Sequence, residues 1–201
     1  MPRALLVFLF ISACNFSHAA QTILVFGDSL SAGFGINQAQ SWPTLLARRL
    51  ADEHYPYQVA NASISGETSS GGAARLGPAL KQFEPAIVII ALGANDGLRG
   101  LPLREMRSNL DAMIRQAGSA KVLLIGMRLP PNYGVKYSED FAKVYAGLAK
   151  SHRIAFLPFL FAGFADKRDA FQDDGLHPTA ATQTLMLDNV WRALLPLLRK
   201  S

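Results

Sequence analysis

Residues 86–92 read AIVIIAL, a run of seven apolar side chains of which four are β-branched. Continuous hydrophobicity of this kind, without alternation between apolar and polar side chains, is typical of a strand covered on both faces. Such strands belong to parallel sheets, in which helices pack on either side. The run therefore predicts a parallel sheet buried between two layers of helices.

Apolar runs and helical patterns alternate along the chain on both sides of this central strand. Four shorter apolar runs predict the other strands, at residues 22–26, 57–60, 121–126 and 154–157. The spacing of apolar side chains predicts helices at residues 42–53, 73–83, 103–117, 138–151 and 179–198. Ser41 is expected to cap the first of these helices, whose first turn tolerates Pro43.

The alternation of strand and helix indicates the fold class. Parallel strands that alternate with helices are joined by right-handed crossover connections. No linker or internal repeat divides the alternation, so the strands are expected to belong to one sheet. A length of 201 residues, half of them hydrophobic, suits one domain with a sizeable core. The chain is predicted to be a single α/β domain of three α/β/α layers, doubly wound around a five-stranded parallel sheet.

The charge distribution bears on the class of partner. The chain carries a formal net charge of +5, but its basic residues are scattered, without a run of five or more. We expect a solvated basic surface, with weak attraction to anionic lipid or substrate as the alternative. The sequence carries no nucleic-acid-binding motif, so no nucleic-acid partner is predicted.

Residues 1–19 have the features of a bacterial export signal. Arg3 precedes an apolar stretch at residues 4–13, and small residues such as Ala19 occupy the usual cleavage positions. The apolar stretch is too short to span a bilayer, and no later run is longer. We therefore predict that residues 20–201 form a periplasmic or secreted domain without a transmembrane segment.

A lipoprotein signal is the alternative for the same segment. Residues 11–14 (ISAC) resemble a bacterial lipobox, in which Cys14 would carry a lipid and anchor the protein to a membrane. Cys14 is the only cysteine of the chain. Under the export interpretation the mature protein has no cysteine, so neither disulfides nor cysteine metal sites are expected.

Three polar, glycine-bearing segments follow predicted strands. Ser29 follows the first strand within residues 27–30 (GDSL), Gly66 lies in the loop after the second, and residues 93–96 (GAND) follow the third. Doubly wound sheets bind ligands beyond the carboxyl ends of their strands, so these segments are expected at one site. Ser29 would supply a hydroxyl there, while backbone N–H groups and the Asn95 amide would supply hydrogen-bond donors.

Each of these residues also has a purely structural explanation. Asp28 or Ser29 could serve only as the cap of a helix. Gly66 could be an ordinary turn glycine, Asn95 could be an ordinary turn asparagine, and Asp96 is expected to organise the turn in which it lies. The functional interpretation therefore rests on the combination of residues rather than on any one of them.

A fourth block, residues 174–177 (DGLH), lies near the carboxyl terminus. A serine hydroxyl is a poor nucleophile until a base takes its proton and a third group orients that base. His177 is the candidate base, and Asp174 is its candidate partner because residues i and i+3 of a turn lie on the same side. Asp173 competes for that role, and Pro178 is expected to begin a helix that fixes the loop behind the imidazole.

The order of these blocks resembles the GDSL, or SGNH, hydrolases, over essentially the whole predicted mature chain. The blocks that carry the resemblance are residues 27–30, Gly66, residues 93–96 and residues 174–177. Within the family, the bacterial thioesterase I/lysophospholipase L1/arylesterase group is the most similar, through residues 25–33, 61–68 and 129–134. The resemblance implies a flavodoxin-like SGNH fold and the hydrolysis of acyl esters or thioesters.

The resemblance also implies a role for each site residue. Ser29 would be the nucleophile, His177 the base and Asp174 its orienting partner. The oxyanion hole would consist of the N–H groups of Ser29 and Gly66 and the side chain of Asn95. Water would then release the acid from an acyl-enzyme on Ser29.

Other motifs that would indicate different chemistry do not occur in the sequence. It has no G-x-S-x-G elbow, no dinucleotide or phosphate-loop motif and no recognisable metal-ligand spacing, so we expect neither cofactor nor metal. The expected substrates are small-molecule acyl esters, thioesters or lysophospholipids, and a monomer is favoured. The alternatives are an acetyl or carbohydrate esterase of the same family and a non-catalytic lipid-binding surface protein.

The acyl group is expected to lie in a shallow apolar groove. Residues 97–103 and 127–137 follow the third and fourth strands and are rich in leucine, proline and tyrosine. We predict that these two loops form the walls of the groove, with Leu101 and Tyr133 as substrate-binding residues.

Overall fold

A computed structural model describes residues 20–200. The expected export signal at residues 1–19 and the alternative lipid anchor at Cys14 lie outside the described residues. The strands are β1 (Gln21–Gly27), β2 (Tyr57–Asn61), β3 (Ile87–Ala91), β4 (Lys121–Ile125) and β5 (Ala155–Leu157). They form one parallel sheet in the order β2-β1-β3-β4-β5, which confirms the predicted five-stranded parallel sheet.

Helices cover both faces of the sheet. They are α1 (Ser29–Ala32), α2 (Trp42–Asp52), α3 (Ser69–Phe83), α4 (Ala94–Leu98), α5 (Leu103–Gln116), α6 (Val135–His152) and α7 (Gln183–Leu194). Helices α3, α5 and α6 pack side by side on one face, and α2 packs with α7 on the other. The predicted α/β/α layering is confirmed. Within residues 20–200, no helix combines the length and the apolar character that crossing a bilayer requires.

The central strand β3 explains the apolar run from which the fold was predicted. All five of its residues are buried, as are residues 23–26 of the neighbouring β1. Strand β1 lies between β3 and β2, with Ile23 aligned to Ile87 on one side and to Val59 on the other. Because helices cover both faces, a polar side chain at these positions would be buried without a hydrogen-bond partner.

Helix α3 begins at Ser69, four residues before the predicted start. Glycines at positions 71 and 72 lower helix propensity, so the sequence pattern indicated a later start. The Asp96 carboxylate accepts hydrogen bonds from the N–H and the hydroxyl of Ser69, and so fixes this helix rather than only its own turn. Gly72 is needed for packing, because a Cβ there would lie 2.3 Å from Leu92 Cδ1.

The chain around Pro178 differs from the prediction, since Pro178 does not begin a helix. Pro178 pairs with Phe171 in an isolated antiparallel bridge. The N–H of Thr179 donates to the carbonyl of Ala170 at 2.9 Å across this bridge. The loop behind His177 is therefore fixed by strand-like pairing, which a local sequence pattern does not reveal.

A hydrogen bond joins the amino-terminal ends of α2 and α7. Ser41 is the N-cap residue of α2 as predicted, but its hydroxyl donates to the Gln38 carbonyl and accepts no hydrogen bond from an N–H of the helix. The N–H of Trp42 donates to Gln183 Oε1 of α7 at 3.0 Å. The predicted helix over residues 179–198 is divided, because α7 is flanked by 3₁₀ turns at Ala180–Thr182 and Leu195–Leu197.

The strand order reverses between β1 and β3. The chain leaves β1 toward α2 on one face of the sheet, and it leaves β3 toward α5 on the other. Diverging connections of this kind open a crevice beyond the carboxyl ends of the strands, where doubly wound sheets bind ligands. The segments that carry Ser29, Gly66 and Asn95 all begin at this edge of the sheet.

Candidate active site

Ser29 is the first residue of α1, directly beyond the carboxyl end of β1. Asp28 is the N-cap, since its Oδ1 accepts a hydrogen bond from the N–H of Leu30 at 3.0 Å. The capping role considered for either residue therefore belongs to Asp28, and Ser29 lines the crevice. Gly27 allows the close approach of β1 to β3, because a Cβ there would lie 3.0 Å from the carbonyl oxygen of Ala91.

His177 and Ser29 are in contact although 148 positions separate them along the chain. Ser29 Oγ lies 2.9 Å from His177 Nε2, and His177 Nδ1 lies 2.7 Å from Asp174 Oδ2. The structure thus brings together the residues predicted as nucleophile, base and orienting carboxylate. When Nδ1–H donates to the carboxylate, Nε2 is left to accept the hydroxyl hydrogen of Ser29.

Asp174 holds both the imidazole and the turn that carries it. Its Oδ1 accepts hydrogen bonds from the N–H groups of Leu176 at 2.8 Å and of His177 at 3.0 Å. The His177 N–H, the imidazole and the Leu176 N–H together lower the pKa of Asp174 to about 2. Asp173, the competing candidate, uses its backbone carbonyl to accept a hydrogen bond from Arg168. The carboxylate in hydrogen-bond contact with the imidazole is therefore that of Asp174.

Of the three residues predicted for the oxyanion hole, Ser29 and Asn95 line the crevice, and Gly66 lies in the loop after β2. Within residues 20–200, the N–H groups of Ser29 and Gly66 donate to no other protein group. Gly66 has φ +80°, a conformation that favours glycine. Asn95 Nδ2 donates to the Glu67 carbonyl at 3.0 Å, which fixes the amide next to Gly66. Its second contact, to Asp28 Oδ2, is 3.5 Å long, so one amide hydrogen is only weakly engaged.

Asp28 has an electrostatic character that its position as a helix cap did not indicate. It is 1 % exposed, and burial raises the pKa of its carboxyl to about 7. The carboxylates of Asp96 and Glu67 act in the same direction, whereas the bond from the Leu30 N–H opposes them. A carboxyl group that changes its charge near neutral pH therefore lies next to Ser29.

A cavity of about 480 Å³ opens beside Ser29 and His177. Its apolar lining comes from the serine and histidine segments, from α4 and from the chain after β4 and β5: Leu30, Leu98, Met127, Leu129, Phe159, Phe161, Phe171 and Leu176. The walls predicted from the sequence, residues 97–103 and 127–137, did not include Phe159, Phe161 or Phe171. Among residues 20–200, no cluster of three His, Cys, Asp or Glu side chains is arranged to hold a metal ion.

Leu101 and Tyr133, the two predicted substrate-binding residues, do not line this cavity, and that expectation is corrected. Residues 127–130 of the predicted walls do line it. Of the other predicted wall, residues 97–103, Leu98 lines the cavity, and it is the last residue of helix α4. The Tyr133 hydroxyl donates to the Leu98 carbonyl at 3.1 Å, so Tyr133 contacts the end of α4 without lining the cavity.

Comparison with known proteins identifies related enzymes. The sequence profile of the GDSL-like Lipase/Acylhydrolase family matches residues 25–185. The chain is 50 % identical to Esterase TesA of Pseudomonas aeruginosa over 182 residues, which are 90 % of each chain. It is 40 % identical to Thioesterase 1/protease 1/lysophospholipase L1 of Escherichia coli over 195 residues, 96 % of this chain and 92 % of that protein.

The fold also has a solved counterpart. A crystal structure of the psychrotrophic esterase EstA from Pseudoalteromonas sp., inhibited by monoethylphosphonate, superimposes with a TM-score of 0.84 at 38 % identity. The match covers 88 % of this chain and 97 % of that one. The alternative of a non-catalytic lipid-binding protein is thereby set aside. The chain belongs to the GDSL-like lipase/acylhydrolase family and is a serine ester hydrolase.

Proposed function

We propose that the enzyme hydrolyses acyl esters through an acyl-enzyme on Ser29, with His177 as general base and Asp174 as its orienting partner. The observation that carries this proposal is the 2.9 Å contact between Ser29 Oγ and His177 Nε2. A general base must lie about 2.6–3.2 Å from the atom whose proton it takes. The 2.7 Å contact between His177 and Asp174 supports the same assignment.

The reaction takes place in two halves. Ser29 Oγ attacks the carbonyl carbon of the ester while its proton moves to His177 Nε2. The bond to the leaving alcohol then breaks, and the imidazolium returns the proton to that oxygen. In the second half His177 takes a proton from water, the hydroxide attacks the acyl-enzyme, and Ser29 Oγ leaves with that proton. Asp174 stabilises the imidazolium in each half.

The oxyanion formed at the carbonyl would be stabilised by the N–H groups of Ser29 and Gly66 and by the Asn95 amide. The unengaged N–H groups of the first two residues support this role. Removal of one such donor typically raises the barrier by about 3 kcal/mol. Because the backbone donors are fixed, Asn95 is the donor that a side-chain substitution can test.

We propose that the acyl chain lies in the cavity beside Ser29. The mostly apolar lining suits a hydrocarbon chain, whereas an acetylated sugar would need more polar groups. This favours longer acyl esters over the alternative of an acetyl or carbohydrate esterase. Relatives named arylesterase and thioesterase 1/lysophospholipase L1 support aryl esters, thioesters and lysophospholipids as substrate classes.

The substrate class can be tested with p-nitrophenyl esters from acetate to palmitate, together with a lysophospholipid and acetylated xylan. We expect faster hydrolysis of esters longer than acetate and cleavage of the lysophospholipid. A preference for acetate or for acetylated xylan would favour the alternative activity. Acyl-CoA in the same panel compares thioesters with oxygen esters.

The nucleophile can be tested with Ser29→Ala and a matched control in the same helix, Ser31→Ala. Ser31 Oγ is buried and, among residues 20–200, has no hydrogen-bond partner. We expect Ser29→Ala to lower kcat by about 10⁴-fold or more. A fluorophosphonate should label the wild type and Ser31→Ala but not Ser29→Ala. Equal labelling of all three proteins would contradict the assignment.

We propose further that residues 1–19 direct export, so that the mature enzyme acts in the periplasm or the medium. A lipid anchor at Cys14 is the alternative, and a monomer is the expected state. Mass spectrometry of the mature protein distinguishes the two forms. A free amino terminus at Ala20 supports export with ordinary cleavage, and a lipidated Cys14 supports the anchor.

A further inference from the structure

Gln172 connects the two segments that carry Ser29 and His177. Its Nε2 donates to the Phe34 carbonyl at 2.9 Å and to the Pro178 carbonyl at 3.1 Å. Phe34 follows α1, and Pro178 is the residue directly after His177. A single amide group therefore joins the serine side of the site to the histidine side.

The backbone of Gln172 holds the same loop. Its N–H donates to the His177 carbonyl at 2.8 Å, so two successive carbonyls, those of His177 and Pro178, are bound by one residue. The Gln172 carbonyl accepts hydrogen bonds from the Gly175 N–H at 2.9 Å and from the Arg168 guanidinium at 2.8 Å. The path of the chain on either side of the imidazole is thus set from position 172.

Phe34 links this amide to both catalytic side chains. The Phe34 N–H donates to the Ser29 carbonyl at 3.2 Å. The Phe34 ring lies against the imidazole of His177, with the ring centroids 4.5 Å apart. The neighbouring glycine allows the close approach, because a Cβ at Gly35 would lie 2.1 Å from Gln172 Oε1.

The two segments share few other polar contacts. Between residues 28–36 and residues 171–178 of the described chain, the hydrogen bonds are that of Ser29 with His177 and that of Gln172 with Phe34. The first is the contact that must break and re-form as the proton moves. The second is the hydrogen bond that remains between the two segments while the proton moves.

We propose that Gln172 is a positioning residue, which sets the distance between Ser29 Oγ and His177 Nε2 by binding Phe34 and Pro178. The inference rests on the proposed function, in which the proton of Ser29 passes to His177. Gln172 does not touch the reacting atoms and acts through the two loops. A misplacement of about 1 Å between reacting groups costs roughly 100-fold in rate, so loss of this amide should affect kcat.

The first test is Gln172→Leu, with Gln116→Leu as the matched control. Gln116 Nε2 also donates to a backbone carbonyl, that of Ala73, but it joins α5 to α3 away from the site. With p-nitrophenyl butyrate we expect Gln172→Leu to lower kcat at least tenfold and to change KM less than twofold. Inactivation by a fluorophosphonate should slow in parallel, and Gln116→Leu should keep the wild-type kcat.

The second test is Gln172→Glu, which keeps the shape of the side chain and removes both N–H donors when ionised. Protonation of the introduced carboxyl restores one O–H donor toward the two carbonyls. The kcat of this variant relative to wild type should therefore rise as the pH falls from 8 to 5.5. Attraction between the added negative charge and a protonated imidazole would make the same ratio fall, so the direction separates positioning from simple electrostatics.

The outcomes of these tests are distinct. Ester hydrolysis by the wild type and its loss in Ser29→Ala test the proposed function independently of Gln172. If the wild type is active and Gln172→Leu has a kcat within twofold of it, the positioning role is wrong. If Gln172→Leu does not fold, Gln172→Glu provides the test instead. The positioning role is then wrong if the kcat of Gln172→Glu relative to wild type stays constant or falls as the pH decreases.

Discussion

The serine-bearing segment (residues 27–33) and the histidine-bearing loop (residues 171–178) meet at the active site but are held in different ways. In the first, Gly27, Asp28 and Ser31 are buried, and the segment continues directly from the central sheet. In the second, residues 173–176 are exposed, and the turn is maintained by hydrogen bonds that Asp174 accepts, that Arg168 donates and that Gln172 both donates and accepts. Ser29 is thus fixed by core packing and His177 by polar contacts.

This difference predicts how substitutions on the two sides will behave. Polar contacts in an exposed loop contribute little to global stability, so their loss should reduce activity more than it destabilises the fold. Packing against the buried sheet is sensitive to a single added atom, so changes there should lower the free energy of unfolding. Four measurements would break or sharpen this contrast.

The largest effect is expected on the histidine side, from Asp174→Asn. The amide cannot accept the imidazole hydrogen bond as the carboxylate does, so His177 loses its orientation and its tautomer. We expect kcat/KM to fall about 10³- to 10⁴-fold, far more than the stability contributed by this exposed carboxylate would explain. Asp173→Asn is the matched control and should keep most of the activity. Equal losses in the two variants would refute the assignment of Asp174.

The second effect is a pH dependence of stability that comes from the serine side. The pKa of Asp28 is about 7 in the folded protein, against an ordinary value of 3.8. Between these values the folded state holds a proton that the unfolded state has released. This contribution is fully present below pH 3.8 and is lost as the pH rises through 7. The free energy of unfolding should therefore fall from pH 5 to pH 8.

Urea unfolding at several pH values measures this slope. One pKa unit corresponds to about 1.4 kcal/mol, so the decrease from Asp28 should be on the order of 2 kcal/mol. Asp28→Asn should flatten the slope. Asp174 has the opposite sign, because its lowered pKa gives a contribution that is present above pH 3.8 and lost toward pH 2. Asp174→Asn should therefore leave the slope between pH 5 and pH 8 unchanged.

The third effect is steric and again belongs to the serine side. A Cβ at Gly27 would lie 2.8 Å from Ser31 Oγ and 3.0 Å from the Ala91 carbonyl oxygen, and the latter is backbone that cannot move easily. We expect Gly27→Ala to lower the free energy of unfolding by about 1–3 kcal/mol. Gly147→Ala in α6 is the control of opposite sign, because its Cβ meets only Nη1 of Arg107, the far end of a flexible side chain, at 3.1 Å. Alanine should stabilise that helix by roughly 0.5–1 kcal/mol.

The smallest effect concerns substrate preference at the histidine loop. Leu176 lines the cavity and is 42 % exposed, whereas Leu101 is 36 % exposed and does not line it. We expect Leu176→Ser to lower the ratio of kcat/KM for octanoate to that for acetate by about three- to tenfold, because apolar contact with the chain is lost. Leu101→Ser should leave that ratio at the wild-type value. If Leu101→Ser lowers the ratio and Leu176→Ser does not, the acyl chain lies in the groove expected from the sequence.

Much of the sheet and of the site could be predicted because the signals are local. The apolar run at residues 86–92 indicated β3, and the glycine-rich blocks after three strands indicated one shared edge. The cavity walls could not be predicted in this way. Phe159 and Phe161 reach the cavity because β5 is the outer neighbour of β4, which depends on strand order rather than on any nearby motif.

The sequence by itself determined the parallel sheet, the layers of helices and the edge at which the polar blocks gather, because hydrophobic periodicity and turn residues act over short stretches of chain. Only the tertiary structure decided the 2.9 Å contact of Ser29 with His177, the raised pKa of Asp28 and the bridging position of Gln172. Each of these depends on distance and burial between segments that are remote in sequence, and such through-space quantities exist only once the chain has folded.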